Sequence, residues 1–282
     1  ERHGDEILAL AEAEQQRRVL ARGVDMIRIV RAEDAERIRA LDPVQDHVQS
    51  VRDRRDLGQA HAVFHELRDD LRVGLRGELH ALLLQKFADL EIVFDDVLKV
   101  DIPSLLDEKM PGMRHVVCAN LPYNVTGPVI SKLLEIGCFD SVTVMIQREV
   151  ARRICAKPGT GDYGAFTVFV NWFAQPELLF DVQPGCFIPQ PKVTSSVIRL
   201  TRRSEPPAEV KSEAMFMRVV KAAFAQRRKT LLNALSAGFG EMSKETVEKC
   251  LTDSGFDPKV RGEVLSIGEF AKIADAFCAV LD

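Results

Sequence analysis

The sequence predicts an α/β protein in which a mostly parallel sheet is flanked by helices and followed by a smaller helical domain. Short apolar runs alternate with helical segments between residues 87 and 200, as in parallel strands joined by crossover helices. Residues 202–208 contain a serine and two adjacent prolines, which indicate a linker. Only helical patterns follow this linker. At 282 residues the chain is long enough for one large and one small domain.

The elements follow one another in a regular order along the chain. Strands are predicted where apolar and β-branched residues run together, and helices where apolar residues recur every three or four positions. The predicted strands are 90–94, 116–119, 141–147, 177–182 and 193–200, the last two forming an antiparallel pair. Predicted helices include 102–106, 127–134, 148–156, a segment ending at 173, 216–235 and one around 267–271. We therefore predict an α/β domain at 87–203 and a helical domain at 204–282.

Residues 1–86 differ in composition from the rest of the chain. Fourteen of the 15 basic residues in 1–90 are arginine, whereas 91–282 hold 11 arginines and 12 lysines. Apolar residues at helical spacing, among them Val63 and Phe64, predict two to four charged amphipathic helices with a break near Asp42 and Pro43. A solvated helical surface explains the charge. The arginine usage also fits a segment of foreign origin, such as a fusion or an altered reading frame.

The composition narrows the class of protein. The chain is 46% hydrophobic and 28% charged, which is ordinary for a soluble globular protein. It shows neither an apolar run of 18 residues nor a signal peptide, so we expect no membrane contact. Six scattered cysteines without a C-x-x-C pair predict reduced thiols and a cytoplasmic location. Because the net charge is −4, any nucleic-acid contact must come from a local basic patch.

The stretch Asn120-Leu121-Pro122-Tyr123 is the main candidate for a catalytic site. It ends a buried strand, and ligands of open α/β sheets bind at that edge. The Asn120 side chain and the Leu121 carbonyl are both able to accept hydrogen bonds from an exocyclic base amine, which would free its lone pair for attack. Pro122 stiffens the turn, and Tyr123 offers a face for an extruded base. The alternative is an ordinary strand-ending turn in which Tyr123 caps the core.

Two other positions are candidates for contacts with an adenine ring or a target base. Asp96 follows the strand at 90–94, where a carboxylate can accept a hydrogen bond from an adenine amino group; the alternative is that an aspartate here caps the next helix. Phe187 lies in a loop stiffened by three prolines and could enclose a base together with Tyr123. The alternative for Phe187 is a place in the core.

A basic run lies in the first helix of the predicted C-terminal domain. Arg227, Arg228 and Lys229 are adjacent, and three neighbouring cations suit phosphate contacts with structured RNA. A solvated helix surface is the alternative explanation.

Together these residues resemble the small-subunit ribosomal RNA adenine N6,N6-dimethyltransferase family over about 87–282. The matching stretches are DDVLKVD (95–101), NLPYN (120–124), MIQREVARRICAKPGTGDYG (145–164), CFIPQPKVTSSVIRL (186–200), FAQRRKTLLNAL (224–235) and RGEVLSIGEF (261–270). The resemblance implies a Rossmann-like fold and S-adenosylmethionine as methyl donor. It implies as substrate two adjacent adenosines near the 3′ end of small-subunit rRNA, within an immature small ribosomal subunit. It further implies a monomer that needs no metal.

The resemblance also implies a role for each candidate residue. Asp96 and Val97 would bind the adenine of the methyl donor, and Asn120 would contact both the methyl donor and the target amine. Leu121 and Pro122 would complete the catalytic turn. Tyr123 and Phe187 would stack against the target base. RNA contacts would come from the basic residues Lys192, Arg227, Arg228 and Lys229.

The first 86 residues depart from the family pattern. The family has a GQNFL-type segment, a glycine-rich loop and an acidic residue for the ribose in this part, and none of them is present here. Two other functions therefore stay open. The first is a non-catalytic RNA-binding or ribosome-assembly factor without methyl-donor binding. The second is a large-subunit rRNA adenine methylase.

Overall fold

The computed structural model describes residues 26–31, 61–64, 91–187 and 190–281 of the chain. Seven strands in these residues form one sheet. They are β1 (Met26–Arg31), β2 (His61–Phe64), β3 (Glu91–Phe94), β4 (His115–Asn120), β5 (Ser141–Gln147), β6 (Ala174–Val182) and β7 (Ser195–Arg202). Their order across the sheet is β3-β2-β1-β4-β5-β7-β6.

Strand β1 runs opposite to both of its neighbours. It is antiparallel to β2 and to β4, whereas β2 and β3 are parallel and so are β4 and β5. Because two antiparallel steps restore the direction, β2, β3, β4 and β5 all point the same way and their carboxyl ends meet at one edge of the sheet. The carboxyl end of β1 lies at the opposite edge. The predicted parallel arrangement thus holds for these strands except β1.

Two helices follow strands at the edge where the carboxyl ends meet. Helix α1 (Ile102–Lys109) begins after β3, and its N-cap is Asp101, whose side chain accepts a hydrogen bond from the Ser104 amide. Helix α2 (Thr126–Ile136) begins after β4 and buries one apolar face. It ends at Gly137, whose φ of +69° is a left-handed conformation that suits glycine. Both helices were predicted.

The described residues divide into two compact units. One holds the residues up to Arg148 together with 179–200, and the other holds 149–178 together with the residues from Thr201 onward. Six helices lie mainly in the second unit: α3 (Arg148–Ile154), α4 (Ala165–Phe173), α5 (Glu213–Ala225), α6 (Leu231–Gly238), α7 (Lys244–Asp253) and α8 (Ile267–Leu281).

Aromatic residues fill the core of the second unit. Trp172 of α4 stacks on Phe216 of α5 with ring centroids 4.1 Å apart, and Phe239 meets Phe277 of α8 edge to face. Helices α5 and α6 approach closely at Gly238, because a Cβ atom there would lie 2.4 Å from the Cβ atom of Ala222. Large buried rings combined with a glycine at this contact give the unit a continuous apolar core.

The helix predicted at 216–235 is wrong, because two helices occupy this range. Helix α5 ends at Ala225, and α6 begins at Leu231 after its N-cap Thr230, whose side chain accepts from the Asn233 amide. The amides of Leu231 and Leu232 donate to the carbonyls of Val260 and Pro258, so tertiary hydrogen bonds fix the start of α6. The basic run therefore lies in a turn and not on a helix.

The helical prediction for residues 1–86 is wrong at the two places that the structure describes. Residues 26–31 form β1, and 61–64, including Val63 and Phe64, form β2. Short apolar runs do not distinguish a strand from a helix, and here pairing with neighbouring strands decides for the strand. The rest of this predicted helical segment lies outside the described residues.

The remaining predicted elements are confirmed. Strand β5 has the predicted bounds, and β3, β4, β6, β7 and helix α8 differ only in their end residues. Within the described ranges, no helix combines the length and apolar character needed to span a bilayer.

Candidate active site

Asn120 and Leu121 stand at the tip of β4. Asn120 is the last residue of the strand and pairs with Met145 of β5. The Leu121 amide donates to the Met145 carbonyl at 3.1 Å, and the Leu121 side chain is buried. The backbone of this pair is thus fixed to the neighbouring strand just where β4 leaves the sheet.

Some polar groups at the tip of β4 are hydrogen-bonded to other residues of the protein, and others are not. The Pro122 carbonyl accepts from the Thr126 hydroxyl at 3.0 Å and from the Val125 amide at 3.2 Å. By contrast, neither the half-buried Asn120 side chain nor the Leu121 carbonyl hydrogen-bonds to any residue that the structure describes. Within the described residues these two acceptors are therefore unused, and their contact with a ligand stays a prediction.

Tyr123 lies in the turn that follows these acceptors. It is 38% exposed, and its hydroxyl lies 2.9 Å from the Oγ atom of Ser195 in β7. Tyr123 is thus not fully buried, and the stacking of a base on its ring stays a prediction. Asn120 is likewise outside the packed interior.

The loop after β3 brings Asp96 and Val97 to the same edge of the sheet. The Asp96 carboxylate accepts from the Leu98 amide at 2.9 Å, its second oxygen is 3.9 Å from the Lys99 ammonium, and Val97 is buried. The alternative that Asp96 caps the next helix is wrong, because Asp101 caps α1. A hydrogen bond from the Ser104 hydroxyl lowers the pKa of Asp101, as a capping carboxylate requires.

Lys132 of α2 joins the β3 loop to the element that follows β4. Its ammonium group donates to the carbonyls of Leu98 at 2.9 Å and Val100 at 2.7 Å. This clip holds the backbone of the loop that carries Asp96. Nothing in the sequence singles it out, because a lysine on an amphipathic helix is ordinarily a solvated residue.

The strand pairing sets the separation of the two halves of the site. One row of paired residues crosses four strands: Val93, Val63, Ile27 and Ala119. Strands β2 and β1 lie between β3 and β4, so the tips bearing Asp96 and Asn120 are three strand spacings, about 14 Å, apart. A ligand that contacts both residues must extend across the ends of the two intervening strands.

The described residues fit two parts of the methyl donor that the resemblance implies. A carboxylate (Asp96) and a buried apolar side chain (Val97) would suit its adenine, and the Asn120 amide, which has no partner among the described residues, would suit its transfer end. The carboxyl end of β1 lies at the opposite edge. Within the described parts of the chain, no group of three His, Cys, Asp or Glu side chains is placed to hold a metal ion.

Phe187 and Lys192 lie in the segment between β6 and β7. Phe187 is half-buried, and its amide donates to the Pro184 carbonyl at 3.2 Å, closing the short 3-10 turn Pro184–Cys186. Lys192 is exposed. The sandwich of Tyr123 and Phe187 around a base stays a prediction.

The three basic residues of the C-terminal unit have different surroundings. Arg227 donates to the Glu263 carboxylate at 3.3 Å and to the Gly161 carbonyl, so it connects parts of its own unit. Arg228 and Lys229 are exposed, and their side chains contact no charged or polar partner among the described residues. The structure therefore leaves Arg228 and Lys229, more than Arg227, available for phosphate groups.

Comparison with known proteins identifies the class of protein as a Rossmann-like methyltransferase. A family model described as ribosomal RNA adenine dimethylase matches residues 60–277. The chain is 46% identical over 194 residues to ribosomal RNA small subunit methyltransferase A of Caldanaerobacter subterraneus subsp. tengcongensis, covering 68% of this chain and 71% of that protein. It is 44% identical over 213 residues to the protein of the same name from Clostridium botulinum, covering 74% and 76%. The chain belongs to the ribosomal RNA adenine dimethylase family.

A solved structure agrees on the fold. The crystal structure of a dimethyladenosine transferase from Plasmodium falciparum superposes with a TM-score of 0.53 at 21% identity, covering 72% of this chain and 78% of that one. The predicted fold class is thereby confirmed. The family match begins at residue 60, so it includes β2 and extends further toward the N-terminus than the predicted resemblance from residue 87.

Proposed function

We propose that this chain transfers methyl groups from S-adenosylmethionine to N6 of two adjacent adenosines near the 3′ end of small-subunit rRNA. The product is N6,N6-dimethyladenosine. One observation carries the proposal: two hydrogen-bond acceptors, on Asn120 and Leu121, have no partner among the described residues and stand at a strand tip just before the partly exposed Tyr123. Family membership and relatives named as small-subunit rRNA methyltransferases support it.

The residues at the strand tip act by orienting the target amine. An exocyclic amine on adenine is a weak nucleophile because its lone pair is delocalised into the ring. Hydrogen bonds from its two N–H groups to the Asn120 side-chain oxygen and the Leu121 carbonyl pull the nitrogen toward tetrahedral geometry, so the lone pair is freed. Tyr123 supports the base from one face. Positioning is thus the main contribution of these residues.

The methyl donor supplies an activated methyl group on a sulfonium sulfur when it is bound. In this chain, Asp96 accepts a hydrogen bond from its adenine amino group and Val97 packs against the ring. Asn120 stands between the two ligands and contacts both. The buried position of Val97 and the fixed carboxylate of Asp96 support these roles.

RNA binding involves cations in both units. Lys192 in the segment before β7 and Arg228 and Lys229 in the turn after α5 are exposed and suit phosphate contacts. The substrate is an immature small ribosomal subunit, on which the protein acts as a monomer. Free cysteines, six among the described residues, support a location in the reducing cytoplasm.

A methyl-transfer assay on small ribosomal subunits from cells lacking the activity tests the proposal. Asn120→Ala should abolish transfer while the affinity for the subunit stays nearly unchanged, because only the amine contact is lost. Asn124→Ala is the matched control, since Asn124 is exposed four residues further along the same turn. Wild-type turnover by Asn120→Ala would contradict the role of the amide.

One observation favours a second function, a ribosome-assembly factor that binds RNA without catalysis. Since β1 is antiparallel to β4, the carboxyl end of β1 is not at the edge where Asn120 lies, and the sequence lacks the glycine-rich loop of the family. Calorimetric titration with S-adenosylmethionine distinguishes the two functions. Binding supports the methyltransferase, whereas a folded chain that binds RNA and not the methyl donor is an assembly factor.

A further inference from the structure

A buried serine in β7 holds the hydroxyl of Tyr123. Ser195 is 1% exposed, and its Oγ atom lies 2.9 Å from the Tyr123 hydroxyl, 72 residues earlier in the chain. Tyr123 itself is 38% exposed. A partly exposed tyrosine is thus held at its hydroxyl by a group inside the protein, and either hydroxyl can donate in this bond.

The strand that carries Ser195 is held on both sides of this contact. The Thr194 carbonyl accepts from the Arg148 amide at 3.0 Å, next to the end of β5. The Ser196 hydroxyl donates to the Asp181 carboxylate of β6 at 2.5 Å. Thr194 just before β7 and the first two residues of β7, Ser195 and Ser196, thus bond to three different elements.

The hydroxyl of Tyr123 is not needed for stacking, because a phenylalanine ring would present the same face to a base. Nor does folding require a polar group at position 195, where an apolar side chain of similar size would avoid burying a hydroxyl. Replacing both partners of a buried hydrogen bond by apolar groups costs little stability. What the pair does supply is a fixed orientation of the ring.

We propose that Ser195 is a positioning residue for the methyl-transfer reaction, which fixes the far end of the Tyr123 ring, and with it the direction in which the ring extends, against the target adenine. This inference rests on the proposed function, because it concerns the base that Asn120 and Leu121 hold. Without the bond, the ring rotates about its side-chain torsions, and the stacked base departs from the orientation that these two acceptors require. The expected loss is therefore in turnover and not in RNA affinity, which depends mainly on phosphate contacts.

The test compares four variants of the full chain: Ser195→Ala, Tyr123→Phe, the double variant, and the control Ser196→Ala. Ser196 is equally buried and adjacent in the same strand, but it bonds to Asp181 instead. We expect kcat to fall about tenfold in each of the first two variants, with KM for RNA nearly unchanged. The double variant should be no slower than either single one, since all three lack the same bond. Ser196→Ala should stay within about twofold of the wild type.

A second measurement reports how well a base stacks on the Tyr123 ring. An RNA fragment with 2-aminopurine at the target adenosine is titrated with each variant in the presence of S-adenosylhomocysteine, and fluorescence quenching measures stacking on Tyr123. Wild-type and Ser196→Ala protein should quench strongly, and Ser195→Ala and Tyr123→Phe less. Tyr123→Phe changes an exposed residue, so it keeps the test valid if Ser195→Ala fails to fold.

The outcomes separate this inference from the proposed function. Additive losses in the double variant, or wild-type kcat and quenching in Tyr123→Phe, overturn the positioning role. A second outcome is that the wild-type protein transfers no methyl group but its quenching still depends on Ser195. That outcome overturns the proposed function and supports the role of Ser195 in positioning Tyr123. Absence of quenching by the wild-type protein overturns the inference together with capture of the base.

Discussion

Lys132→Met removes the ammonium group that holds the loop carrying Asp96 and Val97. In the structure this group donates to the carbonyls of Leu98 and Val100, at 2.9 and 2.7 Å. Methionine keeps an unbranched apolar stem and the helix propensity of lysine. The substitution therefore isolates the two hydrogen bonds, and we expect weaker binding of the methyl donor.

The magnitude follows from the kind of bond that is lost. A hydrogen bond with a charged partner contributes roughly 1.5–3 kcal/mol. Lys132 is half-buried and the two carbonyls can regain water, so the combined loss is about 1–2 kcal/mol. Because each 1.4 kcal/mol changes affinity about tenfold, the Kd for S-adenosylmethionine should rise about 5- to 30-fold. The loop must then be ordered when the methyl donor binds.

Calorimetric titration of the folded variant measures this Kd directly. Lys221→Met is the control, because Lys221 is an exposed lysine on α5 whose side chain contacts no polar or charged partner in the described part of the chain. RNA affinity should be the same in both variants and in the wild type. An unchanged Kd in Lys132→Met would show that the two hydrogen bonds of Lys132 do not order the loop that carries Asp96 and Val97 for binding of the methyl donor. The reasoning from these bonds would then be refuted.

Two further predictions concern the helical unit. The double variant Arg228→Ala/Lys229→Ala should weaken RNA binding, because two phosphate contacts are lost. The slope of the logarithm of the RNA association constant against the logarithm of the salt concentration should then fall in magnitude by about 2. Arg227→Ala, by contrast, should lower the melting temperature and leave that slope unchanged. Equal slopes in both variants would contradict the division of roles. Burial, followed by the charge of Glu269, raises the pKa of Tyr163 to about 12. Since an unfolded tyrosine ionises near pH 10, the unfolded state loses its proton first, and stability should fall as the pH rises from about 10 to 12. Chemical denaturation at these pH values should show a smaller fall for Tyr163→Phe than for the wild type, and parallel curves would exclude the effect.

The elements that the sequence predicts correctly are those with a strong local signal. Strand β5 has the predicted bounds because Ser141–Gln147 is rich in β-branched and apolar residues. In the structure every second residue of this strand is buried. The strand-tip motif was also placed correctly, because an apolar run followed by Asn120 and Pro122 allows few conformations. In both cases the information lies within a few residues.

The features that the sequence does not predict depend on distant partners. The break between α5 and α6 is fixed by the bonds of Leu231 and Leu232 to carbonyls almost 30 residues away, although Thr230 was a visible N-cap signal. Strand β2 is a four-residue run whose partners decide its conformation. The role of Lys132 arises only because α2 packs near the loop after β3, and that of Ser195 only because β7 lies near the turn after β4. Neither contact can be predicted from the spacing of residues in the sequence.

The two ligands of the site depend on different parts of the sheet. In the proposed function, the target amine is held by Asn120 and Leu121, which are fixed through β4 to β5, and the target base by Tyr123, which is fixed through Ser195 to β7. None of these contacts uses β1. The methyl donor, by contrast, must span the ends of β2 and β1, where the antiparallel direction of β1 departs from the parallel pattern of its neighbours. Capture of the base and binding of the methyl donor are therefore physically separable in this chain. The decisive comparison is between quenching of a 2-aminopurine RNA and titration with S-adenosylmethionine on the same protein.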